Sequence, residues 1–201
     1  NAEGYSNSGR RGNHGSVMIY SWDGTTWIQK GNKLNNDIEG KNSPDNSGYS
    51  VSLSSDGRTV AIGAPFNNTE GGRDTRYFAG YVSVYNWNGT TWIQLGDDIF
   101  GCDPNYSSCQ GSNDVNKKIS VSLSSDGTTV AIGDNYYASN FSQNLRTGRV
   151  RVYTWDGTTW SQQGNDMVGE AIYDESGYSV SLSSNGATVA IGAPHNDGAN
   201  G

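Results

Sequence analysis

An all-β chain built from repeated four-stranded antiparallel sheets is the fold class that three observations predict. A tryptophan-flanked turn occurs as Trp22-Asp23-Gly24-Thr25-Thr26-Trp27, Trp87-Asn88-Gly89-Thr90-Thr91-Trp92 and Trp155-Asp156-Gly157-Thr158-Thr159-Trp160. A serine-rich unit alternates with it: Ser50-Val51-Ser52-Leu53-Ser54-Ser55-Asp56-Gly57 has relatives that start at Ser120 and Ser179. No stretch shows helical periodicity of any length. Two units alternating at a spacing of roughly 60 to 70 residues mark a repeat architecture.

The first element, within residues 1–34, is a hairpin in which Gly15-Ser16-Val17-Met18-Ile19-Tyr20 leads into the turn at Asp23-Gly24. Asp-Gly and Asn-Gly accept the positive φ angles that a tight turn demands. Residues 45–100 then supply two hairpins. Folding about Asp56-Gly57 sets Leu53 opposite Val60 and Val51 opposite Ile62, with Ser52 and Ala61 on the reverse face. Folding about Asn88-Gly89 sets Trp87 opposite Thr90, Tyr85 opposite Trp92 and Val84 opposite Ile93, so Val82, Val84 and Ile93 share one face while Tyr85, Trp87 and Trp92 share the other. Residues 117–166 repeat the pattern about Asp126-Gly127 and Asp156-Gly157, and residues 174–201 hold one more hairpin, about Asn185-Gly186. Sheets with two apolar faces need cover on both sides, and stacking on copies of themselves provides it.

Two hairpins make four strands, and four-stranded sheets repeated radially are the blades of a β-propeller. The order is half a blade, two blades and half a blade, about three blade equivalents, where propellers hold about four to eight. The chain is therefore expected to be a fragment of, or a partner in, a larger propeller or repeat assembly. Its opening half-blade would complete its closing one, within one molecule or head to tail between neighbours.

Gly48-Tyr49-Ser50-Val51 followed by Gly63-Ala64-Pro65, and Gly177-Tyr178-Ser179-Val180 followed by Gly192-Ala193-Pro194, resemble FG-GAP-type repeats of the integrin α-like propeller family. Ser47 and Ser176 stand where that family has its Phe, Gly133-Asp134-Asn135 replaces Gly-Ala-Pro in the middle repeat, and the Asp-x-Asp-x-Asp-Gly calcium loop of the integrin members occurs nowhere. The resemblance implies an extracellular binding or adhesion propeller.

Cys102 and Cys109 lie in an insertion over residues 101–116 that belongs to one repeat alone, and their spacing in a Gly-, Ser- and Asn-rich loop predicts a local disulfide. A disulfide predicts an oxidising, extracellular compartment. Asn67, Asn88, Asn105 and Asn140 each begin an Asn-x-Ser/Thr glycosylation signal; Asn88 sits in a tight turn, the others in predicted loops. Asp45 and Asp174 precede Ser-Gly at equivalent points and offer the hard oxygen ligands that suit calcium, although closing the following turn is the commoner use of such residues.

Catalytic constellations are thin. His14 and His195 fall in Gly- and Asn-rich loops with no partner at a useful spacing. The serines belong to turn signatures and sit in no nucleophile elbow. Thirteen Lys and Arg against 20 Asp and Glu give a net charge of −7, which repels a phosphate backbone and excludes nucleic acid as the expected partner. A mean hydropathy of −0.68 and the lack of any long apolar run exclude a membrane-spanning helix. The expected function is a non-enzymatic interaction, adhesion or structural assembly module with protein or glycan ligands outside the cell. The alternative is a carbohydrate-binding propeller with repeated aromatic sites. A hydrolase ranks third, and its distinguishing feature would be a charged cluster absent from the other repeats, for which the insertion with Lys117 and Lys118 is the sequence candidate.

Overall fold

The computed structural model describes residues 15–31, 46–66, 80–101, 117–138 and 146–198. Thirteen strands lie among them, every strand pairing is antiparallel, and no described helix is long and apolar enough to cross a membrane. β1 (Tyr20–Trp22) and β2 (Trp27–Gln29) form a hairpin. β3 (Ser50–Leu53), β4 (Thr59–Ala64), β5 (Tyr81–Trp87) and β6 (Trp92–Gln94) follow one another across a sheet in which β7 (Ile99–Phe100) also pairs with β5. β8 (Ile119–Leu123), β9 (Thr129–Asp134), β10 (Arg149–Trp155) and β11 (Trp160–Val168) make the next sheet, and β12 (Ser179–Leu182) with β13 (Val189–Gly192) make the last hairpin.

The serine hairpins have the register their turns predict. Leu53 faces Val60 and Val51 faces Ile62, and the same pairing recurs as Leu123 with Val130 and Leu182 with Val189. Ser54 explains the turn: its Oγ accepts from the Thr59 amide at 2.8 Å and donates to Asp56 Oδ1 at 2.6 Å, and that carboxylate also accepts from the Arg58 amide. Ser124 with Asp126 and Ser183 with Asn185 repeat the device.

The tryptophan hairpins depart from the expected register. Trp87 faces Trp92, Asn86 faces Ile93 and Tyr85 faces Gln94, so the loop holds four residues instead of two. The cause is the side chain before the glycine. Asn88 Oδ1 accepts from the amides of both Thr90 and Thr91 at 2.9 Å, as Asp23 and Asp156 do in their copies, which draws both threonines into the turn. The glycine that follows takes φ of 101° to 106°, a region closed to side chains. Because the shift is two residues, the expected faces survive, and the paired rings meet at centroid distances of 5.3 to 5.6 Å.

Both faces of the sheet from β3 to β7 find cover, except over β3, where Val51 and Leu53 stay about half exposed. Val60, Ile62 and Trp92, with Tyr85 and Trp87 beside them, pack on Val17 and Ile19. On the other face Ala61, Val82, Val84 and Ile99 pack on Ile119, Val121, Leu123, Val130 and Ile132. Polar rivets recur at each joint. Leu123 N donates to Ser52 Oγ and Leu182 N to Ser122 Oγ, both at 2.9 Å. Ser55 N donates to Ser125 O and Ser125 N to Ser184 O, while Trp92 Nε1 donates to Lys30 O and Trp160 Nε1 to Leu95 O.

The turn carboxylates give a pH prediction. The Ser54 hydroxyl and then the Arg58 amide hold the Asp56 carboxyl below its ordinary value, and the Ser124 hydroxyl and Thr128 amide do the same for Asp126. A folded pKa below the unfolded one adds stability that is present above the unfolded value of about 3.9 and is lost as pH falls through the folded value. Replacing both with Asn, the residue already used at Asn185, is expected to leave the urea midpoint at neutral pH nearly unchanged and to flatten its decline in acid. An unaltered acid limb would overturn this assignment.

Candidate functional site

One group of charges breaks the repeat. Lys117-Lys118 stands where the neighbouring repeats have Ser47-Gly48 and Ser176-Gly177, Asp134-Asn135 where they have Ala64-Pro65 and Ala193-Pro194, and Arg149 and Arg151 where they have Tyr81 with Ser83 and Ser16 with Met18. The fold draws these substitutions together, since Arg149 at the start of β10 pairs directly with Asp134 at the end of β9. Strand alternation turns Asp134, Arg149 and Arg151 to the same face, toward the preceding sheet.

The arginines bridge the two sheets. Arg149 Nη1 meets Asp166 Oδ2 at 2.7 Å, its Nη2 donates to Gly101 O, and its guanidinium lies 3.9 Å from the centre of the Tyr137 ring. Arg151 Nη2 donates to Phe100 O at 2.7 Å and to Gly101 O at 2.9 Å. Gly101 and Lys117 are the two described residues that bound residues 102–116, so both roots of that segment are set in this seam. Lys117 is buried, and burial pushes its ammonium well below the ordinary lysine value; Asp134 opposes the shift and Arg149 adds to it. Burial acts to raise the Asp166 carboxyl, but the Gln162 amide and then Arg149 outweigh it and hold the group below the usual range.

A second polar chain continues toward the last hairpin. Lys118 N donates to Asn135 Oδ1, Asn135 Nδ2 donates to Glu175 Oε2, and Arg146 Nη1 meets Glu175 Oε1 at 3.1 Å. Lys118 Nζ donates to the Tyr178 hydroxyl, the main influence that raises its pKa. Glu175 keeps a left-handed backbone, φ 55°, at the position where Asn46 has φ 54°. Asn tolerates that region more readily than Glu. The strain at Glu175 is offset by the two partners its carboxylate holds.

Chemically, the seam is a fastening of buried cations, carboxylates and backbone carbonyls. Sequence reading singles out Lys117 and Lys118 and the departure at Asp134-Asn135; it misses Arg149 and Arg151. Lining up the repeats residue by residue exposes the two arginines, whereas Asp166 looks ordinary because Asp98 occupies the same place in the sister sheet.

Of the sequence candidates, Asp174 is buried and its Oδ2 accepts from the Ala171 amide at 2.8 Å and from Asn196 Nδ2 at 3.2 Å. Among the described residues no group of three or more His, Cys, Asp or Glu could hold a metal ion. Asn88 is exposed and closes its turn through Oδ1, and His195 is exposed beyond β13. Asp45, Asn67, Asn105, Asn140, Cys102, Cys109 and His14 lie outside the described residues.

No protein-family model matches the chain, and no curated protein does. Among solved structures it is similar to the crystal structure of a candidate 6-phosphogluconolactonase from Bacteroides uniformis, with a TM-score of 0.50 and 12% identity, over 89% of this chain and 41% of that one. The chain thus spans about two-fifths of that structure. At this identity the likeness concerns the fold alone: all-β, several antiparallel sheets, a partial match to a propeller-type architecture. The FG-GAP resemblance rests on the repeat motifs themselves.

Proposed function

We propose that the chain is an extracellular, non-enzymatic interaction and assembly module made of FG-GAP-like propeller blades, half a blade, two blades and half a blade in order. The observation that carries this reading is where the apolar surface is left open. Met18, Tyr20, Trp22, Trp27 and Ile28 around the first hairpin are 44% to 64% exposed, and Val51 and Leu53 on the β3 edge are about half exposed, whereas the charged seam is engaged with its own neighbours. Large apolar side chains left exposed in numbers on a polar, acidic chain mark a docking region. Disulfide-bonded Cys102 and Cys109, glycans on Asn67, Asn105 and Asn140, and calcium at Asp45 and Asp174 belong to the same reading.

The carbohydrate-binding alternative is favoured by one feature, the open Trp22–Trp27 pair, two residues that are 55% and 64% exposed. Trp92 is buried and Trp87, Trp155 and Trp160 are half-buried, so sugar stacking would centre on that single pair. A glycan array followed by calorimetry separates the two. Binding at one site per chain that disappears in Trp22→Ala favours the lectin, an empty array favours protein contacts, and turnover of any arrayed sugar would overturn the non-enzymatic reading.

A further inference from the structure

We infer that a second copy of this chain docks head to tail, its Trp22–Trp27 hairpin seated on the glycine socket at Gly164 of the first copy, which no described atom fills, and its β1 paired with the edge of β13 that no described strand takes. The inference rests on the assembly reading above and names its partner. The same contacts already exist twice inside the chain, and the new joint continues them.

The glycine sockets carry the argument. Gly31, Gly96 and Gly164 occupy equivalent places four residues past the second tryptophan of each hairpin, after β2 and β6 and within the longer β11, with φ of 79°, 66° and 74°. A Cβ added at Gly31 would lie 2.7 Å from the Trp87 ring, and one at Gly96 would lie 2.8 Å from the Trp155 ring. At Gly164 it would meet no described atom within 4 Å. The ring pair that the repeat would bring there is Trp22–Trp27, which is exposed. Trp27 Nε1 would donate to Gln163 O, as Trp92 does to Lys30 O and Trp160 to Leu95 O.

A second socket tells the same story at the other end. An added Cβ at Gly127 or Gly186 would press on Thr59 or Thr129 at under 3 Å, but at Gly57 it meets no described atom within 4 Å. The repeat-equivalent threonine is Thr188, exposed just before β13. Burial follows the same gradient. Val-Ala-Ile is fully buried at Val60–Ile62 and Val130–Ile132, whereas at Val189–Ile191 the alanine and isoleucine are exposed. Val121 and Leu123 are 8% and 6% exposed beneath β3, while their counterparts Val51 and Leu53 are 53% and 49% exposed.

The register of the joint follows from pairings seen twice. Tyr85 faces Val60 and Tyr153 faces Val130, so Tyr20 of one copy would face Val189 of the other. Leu53 N would donate to Ser181 Oγ and Ser184 N to Ser55 O, completing the two rivet series.

Light scattering across a concentration series, with tryptophan fluorescence on the same samples, tests the joint in the wild-type chain, Gly164→Asn and Trp27→Phe. Asn tolerates the left-handed backbone at position 164 and the space around it is open, so the variant should fold with an unchanged melting temperature when dilute. The expected result is a wild-type mass of at least twice the 21.5 kDa of one chain, a blue shift of tryptophan emission as it forms, and a single-chain mass for Gly164→Asn. Trp27→Phe should raise the dissociation constant several-fold. A wild type that stays at one chain's mass overturns the second copy while leaving ligand binding to be judged on the array. A single-chain mass with a lower melting temperature in Gly164→Asn would place the hairpin on its own chain's socket and equally overturn it. Assembly that survives Gly164→Asn overturns the socket.

Discussion

Asp166→Asn is expected to destabilise the chain by about 3 kcal/mol, because it strands a buried guanidinium. The Arg149 side chain is 8% exposed and Asp166 29%, at an N–O distance of 2.7 Å. With Asp166 neutral, Arg149 loses this ion pair while Arg151 and the buried Lys117 remain close enough to repel it, in a place where unpaired charge is costly. Partial exposure of Asp166 puts the effect at the lower end of the roughly 3 to 5 kcal/mol typical of a broken buried pair. Removing the whole arrangement should cost far less. Arg149→Tyr with Arg151→Ser copies Tyr81 and Ser83, which serve the same positions in the sister sheet, where Ser83 Oγ donates to Asp98 instead. The pH dependence follows from sign. The Asp166 carboxyl is held low in the folded chain, so its contribution is present above the unfolded value of about 3.9 and lost as pH falls below it. Wild type should therefore lose more stability than Asp166→Asn on acidification. Urea midpoints at neutral and acidic pH measure both effects, and a loss under about 1 kcal/mol would mean that water already solvates the seam.

The parts of this molecule that were legible in its sequence are those governed by local chemistry repeated in register. Ser54-Ser55-Asp56-Gly57 names its own turn, so the pairing of Leu53 with Val60 could be read directly. The tryptophan turn was harder because Asn-Gly admits a two-residue loop. What decides for four residues is a side-chain acceptor that captures two amides, and the threonines following Asn88 are the clue. The charged seam was harder still. Arg149 and Gly101 are 48 positions apart and meet only because two sheets stack. No spacing rule brings them together, and only the mismatch between repeats hints at it.

Trp92→Ala and Trp27→Ala alter the same position of the repeat and should differ severalfold in effect. Trp92 is 8% exposed, packs with Val17, Ile19, Val60 and Ile62, stands 5.3 Å from the Trp87 ring centre, and donates from Nε1 to Lys30 O at 2.8 Å. Truncation removes the largest apolar side chain from a two-sheet joint and leaves that carbonyl without its donor, a loss of about 3 to 5 kcal/mol. Trp27 has identical neighbours in sequence but is 64% exposed, with Trp22 as its ring partner at 5.6 Å. Its truncation in a dilute single chain should stay within about 0.5 kcal/mol, the usual range for a surface change. Chemical denaturation at low and high protein concentration turns this contrast into a measurement. If Trp27 becomes buried only when a second chain arrives, its cost should climb toward that of Trp92 as concentration rises, since folding and association then share one equilibrium. A large, concentration-independent cost for Trp27 would mean that its face is already covered within a single chain.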